Sequence, residues 1–247
     1  VSVWLSVDPI SSRDPGLTPY HYVKNNPVNL IDPNGLTWDT PEDKKTADNA
    51  RQAVGNTITS LEKDNAKLNA KISKFEGKSW SQDKKERKIG ELNDRIQSND
   101  DRIDQLNGTM SDIQGMEDSE INFRFSQSDK LVNYVSADKN GTVVIPYSNT
   151  ANLVHEIAHG GQVASGLMSP IPGSKFLSFT PGLFSPIQSE VAAYKRQYAF
   201  SPTSMPSSTA GSFNSLGSIT PSSVRGIFFN SNDILGRTNE VRPYGKY

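Results

Sequence analysis

Residues 150–165 read TANLVHEIAHGGQVAS, and this mostly apolar stretch has the pattern of a buried helix. Residues 148–150 (SNT) offer N-cap side chains, and Gly166 is a helix stop signal. The centre, residues 155–159, is an H-E-x-x-H motif. Residues four apart lie on one helix face, so both imidazoles can bind one metal ion while Glu156 reaches a water molecule on it. The motif predicts a metal site rather than a buried helix with two satisfied histidines.

The metal needs a third protein ligand, because catalytic zinc sites typically have three such ligands and an open position. The chain has no cysteine, and its remaining histidine, His21, lies in a compositionally different region. We therefore expect a carboxylate. Glu190, early in a helix predicted over residues 185–200, is the first candidate, and Asp233 and Glu240 are the alternatives.

Tyr194 follows Glu190 by four residues, so the two side chains should share a helix face. The phenol would then be placed to stabilise a developing oxyanion. Both residues also have ordinary explanations, since an acidic residue early in a helix is favoured by the helix dipole and a tyrosine at this spacing is often a core residue. Metal binding by Glu190 and catalysis by Tyr194 are therefore hypotheses.

A β-hairpin is predicted before the motif helix. Residues 131–136 alternate, residues 138–141 (DKNG) form a turn with the favoured Asn-Gly pair, and residues 142–147 form the returning strand. By analogy with other peptide-binding sheets, we expect this second strand to be an edge that aligns an extended peptide.

Residues 42–117 hold 14 basic and 15 acidic side chains and two apolar heptad seams. If the chain folds back through residues 77–81, the position numbers of facing seam residues add to one constant total, which predicts an antiparallel coiled-coil hairpin. Asn65 and Asn99 face each other in this register and would specify it. The hairpin is either a solvated spacer or an element that grips a partner. The facing apolar pairs are Val54–Met110, Ile58–Leu106, Leu61–Ile103, Leu68–Ile96, Ile72–Leu92 and Phe75–Ile89.

Composition restricts the class of protein. With 26 basic and 27 acidic side chains the net charge is −1, which argues against a general nucleic-acid binder. Absence of cysteine excludes disulfides, thiolate zinc sites and cysteine nucleophiles. The sequence has no apolar run long enough for a membrane span and starts like an internal fragment. Residues 201–223 are rich in Ser, Thr, Pro and Gly and are expected to be loop-like, whereas residues 226–229 (GIFF) should pack back on the core.

The motif helix and the later residues 190–194 (EVAAY) resemble the zincin metallopeptidases of the gluzincin type, and the Glu-x-x-Ala-Tyr-x-x-Gln pattern is similar to small bacterial toxin zincins. The resemblance covers residues 119–200. It implies a zinc-dependent metallopeptidase in which the two motif histidines and Glu190 hold Zn²⁺ and Glu156 is the general base.

Residues 1–36 contain WLSVDP, LTPY and YVKNNPVNLIDPNGL, which resemble the end of an Rhs/YD-repeat core region. In that family the core forms a β shell around a variable C-terminal toxin, and the chain cuts itself after this motif. The resemblance implies cleavage after Leu36, with Asp32 and Asp8 as aspartyl-protease-like carboxylates. The ordinary alternative is a set of Asp-Pro turns.

Together these patterns predict an α+β chain with three regions: an Rhs core end (1–36), a charged coiled-coil hairpin (37–118) and a zincin-like metallopeptidase domain (119–247). The expected function is that of an Rhs-type polymorphic toxin, delivered by a bacterial secretion system, that cleaves a target-cell protein. Its expected partners are the Rhs shell of the same polypeptide and a cognate immunity protein. The alternatives are a non-proteolytic binding effector with a structural zinc, and a zinc hydrolase of a non-peptide amide.

Overall fold

The computed structural model describes residues 38–128, 135–173, 177–179 and 185–230. Within these ranges the fold is mixed α+β and mostly helical, with two small sheets. None of the described helices is both long and apolar enough to cross a membrane. The elements in chain order are α1 (Pro41–Glu76), α2 (Gln82–Glu117), β1 (Phe123–Gln127), β2 (Ser136–Ala137), β3 (Val143–Tyr147), α3 (Thr150–Ala164), β4 (Met168–Pro170), β5 (Leu177–Phe179), α4 (Pro186–Phe200) and α5 (Pro221–Asn230).

Helices α1 and α2 form the predicted antiparallel hairpin. Thr40 caps α1 by accepting a hydrogen bond from the backbone N–H of Asp43, and the chain reverses after Glu76. Asn99 Nδ2 donates to Asn65 Oδ1 over 2.8 Å, so the predicted Asn–Asn layer is confirmed. A partly buried polar pair of this kind favours one register, because a shift would leave each amide opposite an apolar side chain.

The hairpin packs against the rest of the chain along part of its seam. Leu61 and Leu106 are buried in a cluster with Val154 of α3 and Ala199 of α4. The guanidinium of Arg102 donates to the Ala199 carbonyl oxygen from both Nε (3.0 Å) and Nη2 (2.8 Å). A two-helix hairpin with one apolar seam is marginally stable alone, and these contacts supply the burial that it lacks.

The three-stranded sheet has the order β1-β3-β2. Strands β2 and β3 are antiparallel and joined by a turn at Gly141 (φ +87°), so the predicted hairpin is confirmed at residues 136–137 and 143–144. Residues 131–134 of the predicted first strand lie outside the described residues. The expectation that residues 142–147 form an edge strand is wrong, because β1, which was not predicted, pairs in parallel along all of β3.

One hydrophobic core joins the base of the hairpin to the sheet and to α3. The core is continuous across residue 118, the predicted boundary between the hairpin and the C-terminal region, and that division stays a prediction. The shared core packs α3 between the sheet and the base of the hairpin. Its buried members include Trp38, Ala47, Ala50, Ile113, Met116, Phe123, Val143, Ile145, Leu153, Ile157, Val163 and Met168.

Residues 201–223 are loop-like only in part. Tyr198 Oη donates to the carbonyl oxygen of Asn214 over 2.8 Å, which ties the segment to α4. Helix α5 begins at Pro221, inside the predicted loop, because Val224 is buried in a cluster with Ile219 and Tyr198. Gly226, at the start of the predicted apolar patch, is buried against residues 201–223. A Cβ at this position would lie 2.5 Å from Ser208 Oγ.

Candidate metal centre

Helix α3 places the two motif histidines side by side. Asn149 caps the helix by accepting from the backbone N–H of Asn152, and the helix ends just before Gly166, which has a φ of +76°. His155 and His159 are both buried, and their Nε2 atoms are 3.3 Å apart. The two imidazoles therefore converge on one point, as the four-residue spacing predicts.

Helix α4 brings the predicted carboxylate to the same point. Ser185 caps α4 in a capping box with Gln188, so the helix begins at Pro186, four residues before Glu190. Glu190 Oε2 lies 3.4 Å from His155 Nε2, and Glu190 Oε1 lies 3.4 Å from His159 Nε2. These three residues are the group of candidate metal ligands that the described part of the chain contains.

The three side chains are close enough to share one metal ion. Zinc bonds of about 2.0–2.1 Å at tetrahedral angles place neighbouring ligand atoms about 3.3–3.4 Å apart. The two Nε2 atoms are 3.3 Å apart, and each lies 3.4 Å from a different oxygen of Glu190, His155 from Oε2 and His159 from Oε1. Two imidazole nitrogens and one carboxylate oxygen are also a ligand set that zinc accepts in catalytic sites. The residues present therefore fit the predicted ion in chemistry, and one ligand atom from each lies close enough to the others to share a metal ion.

The electrostatics of the three ligands favour a cation between them. Burial would raise the pKa of Glu190, but the charge of His159 and hydrogen bonds from both histidines outweigh it and hold that pKa below its usual value. Burial would lower the pKa of His159, but the Glu190 carboxylate outweighs it and raises that pKa to about 9. A proton therefore balances the carboxylate when no metal is bound, and a metal must displace it.

Glu156 lies beside the ligands and is itself buried. Burial raises the pKa of Glu156 above its usual value, against the lowering effect of His155 and His159. Asn152, one helical turn earlier, donates from Nδ2 to Glu156 Oε1 over 3.1 Å and so orients the carboxyl group. This buried and oriented carboxyl group is therefore placed to exchange a proton with a molecule bound beside the ligands.

Tyr194 also lies at the site, on the face of α4 that carries Glu190. Its ring meets that of His155 edge-to-face, with 4.4 Å between ring centroids, and lies parallel to Phe213 at 6.2 Å. Burial, with the charges of Glu190 and Glu156, raises the pKa of Tyr194 well above its usual value. The phenol therefore keeps its proton at neutral pH and remains a hydrogen-bond donor. Its catalytic role stays a prediction.

Two polar residues behind His159 were not predicted. Ser189 Oγ lies 2.9 Å from His159 Nδ1, and Gln162 Oε1 lies 3.1 Å from the same nitrogen. Both side chains are buried. The sequence carried a weak signal for each: Gln162 is three residues after His159 on the same helix face, and Ser189 precedes the predicted ligand Glu190.

Two glycines after the motif allow α2 to approach α3 closely. A Cβ on Gly161 would lie 2.6 Å from Asp112 of α2, and one on Gly160 would lie 2.7 Å from Met116 Sδ. Asp112 in turn accepts a hydrogen bond from Arg196 Nε of α4 over 3.3 Å. The glycines thus let one residue of α2 contact both helices that carry the metal ligands.

The chain matches no protein-family model, and no match was found among curated proteins or solved structures. The predicted cleavage residues Asp8, Asp32 and Leu36 and the alternative ligands Asp233 and Glu240 lie outside the described residues.

Proposed function

We propose that this chain is a zinc-dependent metallopeptidase of the gluzincin type. The observation that carries the proposal is the convergence of His155, His159 and Glu190 at distances that suit one shared metal ion, with the buried Glu156 next to the first ligand. Three protein ligands are typical of a catalytic zinc, which keeps an open position, whereas structural zinc ions usually have four.

In this proposal the zinc, when bound, supplies Lewis-acid chemistry, acidifying a water molecule and polarising the scissile carbonyl. Glu156 accepts a proton from the attacking water and later donates it to the leaving amine. Tyr194 directs its phenolic proton towards the carbonyl oxygen as negative charge develops there. Asn152 keeps the Glu156 carboxyl oriented between these two proton transfers.

We further propose that the peptidase is the toxin region of an Rhs-type polymorphic toxin delivered into a target cell by a bacterial secretion system. Support comes from the resemblance of residues 1–36 to the end of an Rhs core. The substrate is then a protein of the target cell. The Rhs shell that encloses the toxin belongs to the same polypeptide, and a cognate immunity protein protects the cell that makes the toxin. In this proposal Asp32 and Asp8 cleave the chain after Leu36, which separates the toxin region from the Rhs core.

The decisive experiment expresses the chain from Thr37 onward in target cells as wild type and as Glu156→Gln, and measures both growth and newly formed protein N-termini. We expect both variants to bind zinc and only the wild type to produce new termini and toxicity. Toxicity that persists in Glu156→Gln would favour a binding effector with a structural zinc. Zinc-dependent toxicity without new termini would favour hydrolysis of a non-peptide amide.

A further inference from the structure

The two motif histidines are held very differently on the side away from the ligand cluster. His155 Nδ1 is buried and has no hydrogen-bond partner within the described ranges. His159 Nδ1 has two partners, Ser189 Oγ at 2.9 Å and Gln162 Oε1 at 3.1 Å. Ser189 is 1% exposed and Gln162 is 7% exposed, so both partners of His159 are buried.

These contacts have a defined direction. Ser189 Oγ donates to Gln162 Oε1 over 2.5 Å, and Gln162 Nε2 donates to the backbone carbonyl of Ser189 over 3.5 Å. Because a carbonyl oxygen can only accept, it selects the amide NH₂ and turns Oε1 towards the hydroxyl group. The hydroxyl of Ser189 therefore donates its hydrogen bond to Gln162. Its oxygen is left to accept a hydrogen bond from the N–H at His159 Nδ1.

We propose that Ser189 and Gln162 form a hydrogen-bond relay that keeps the proton of His159 on Nδ1 and directs its Nε2 lone pair at the metal. Both are positioning residues rather than catalytic ones. The inference rests on the proposed metal site and deepens it, since it makes His159 the pre-oriented ligand and His155 the one that metal binding must orient. Partners of this kind commonly change metal affinity about 10- to 100-fold.

The relay makes a distinctive prediction for residue 162. In Gln162→Met the side-chain volume is nearly kept, but the buried serine proton loses its acceptor. The nearest remaining strong acceptor is His159 Nδ1, and a hydrogen bond to it favours the tautomer with its proton on Nε2, where the metal must bind. In Gln162→Glu an oxygen acceptor remains for both Ser189 and His159.

The test is the zinc affinity of the full 247-residue chain, measured by competition with a chromophoric chelator. We expect Gln162→Met to bind zinc about 10- to 100-fold more weakly than the wild type, and Gln162→Glu to stay within about threefold of it. Ser189→Ala should lower the zinc affinity less than Gln162→Met does, because His159 Nδ1 can still donate directly to Gln162 Oε1. A serine buried outside the site, Ser223, supplies the control Ser223→Ala, which should not change the affinity.

A purely structural role for Gln162 predicts the opposite order, with the near-isosteric Met tolerated and the buried Glu charge harmful. That order, or equal affinities for wild type and Gln162→Met, would overturn the relay. The result is separable from the proposed function, because a wild type that binds no zinc contradicts the metal site itself. A wild type that binds zinc and is insensitive to Gln162→Met contradicts only the relay.

Discussion

Glu190 Oε1 lies 3.4 Å from His159 Nε2, although the two residues belong to different helices joined by a connection that contains β4 and β5. The contact depends on the close packing of α3 and α4, which is reinforced from outside by α2. Arg102 and Asp112 of α2 contact α4, while Gly161 gives α2 room against α3. The ligand geometry is therefore a product of the three-helix packing and not of α3 alone.

The glycine contact predicts opposite effects for two Gly→Ala substitutions. Gly161→Ala should lower the free energy of unfolding by about 1–3 kcal/mol, because the new Cβ overlaps Asp112. Gly115→Ala, in α2, has no neighbour within 4 Å of its new Cβ and should raise it by up to about 1 kcal/mol through helix propensity. Urea denaturation of the metal-free protein measures both. Equal effects at the two positions would contradict the tight packing of α2 on α3.

Asp112 should make stability depend on pH in an unusual direction. Burial raises the pKa of Asp112 to about 6, against the lowering effect of Arg196. The folded state then holds a proton that the unfolded chain releases at a lower pH, so stability from this group is present below about pH 4 and is lost as pH rises through about 6. Between pH 7 and pH 4, the free energy of unfolding of the wild type should therefore rise by up to about 3 kcal/mol relative to that of Asp112→Asn.

Urea denaturation of the two metal-free proteins at pH 7 and pH 4 isolates this contribution, because the other titrating groups are common to both. The measured quantity is the free energy of unfolding of the wild type minus that of Asp112→Asn. If this difference is the same at pH 4 and pH 7, or is larger at pH 7, Asp112 is charged in the folded state throughout this range.

The hairpin register predicts a compensated deletion. Residues 69–75 and 89–95 face each other, so removing both heptads shortens the hairpin but preserves the Asn65–Asn99 layer and the contacts at its base. We expect this variant to fold cooperatively and to bind zinc like the wild type. Removing only residues 69–75 moves Asn65 opposite an apolar residue and displaces the base of α1, so zinc affinity should fall.

Circular dichroism and zinc titration of the two deletion variants provide the measurement. Equal behaviour of the single and paired deletions would mean that the Asn–Asn pair does not set the register. Loss of zinc binding in the paired deletion would mean that residues 69–75 and 89–95 of the hairpin are needed for the metal site.

The phenol of Tyr194 should affect turnover more than metal binding. Tyr194→Phe keeps the ring contacts with His155 and Phe213 but removes the donor. We expect zinc affinity within about twofold of the wild type and kcat about 10- to 1000-fold lower on a peptide substrate, with KM little changed. A variant with normal kcat would assign Tyr194 to packing alone.

Local patterns predicted much of this structure. The heptad seams are periodic enough to give the hairpin register, and the i, i+4 spacing of His155 and His159 needs only one helix to be correct. Strand β1 was missed because its partner β3 is distant in sequence and the pairing is parallel, which short-range turn signals cannot indicate. Ser189 and Gln162 were missed because a buried hydrogen bond between helices depends on packing that no single segment encodes.

The central claim is that His155, His159 and Glu190 bind one zinc ion. The most direct test is the zinc stoichiometry and affinity of the wild type, of Glu190→Gln and of Glu156→Gln, measured by chelator competition. We predict one zinc per chain in the wild type, similar binding in Glu156→Gln, and affinity at least about 100-fold lower in Glu190→Gln. A wild type that binds no zinc, or a Glu190→Gln variant that binds it equally well, would contradict the account.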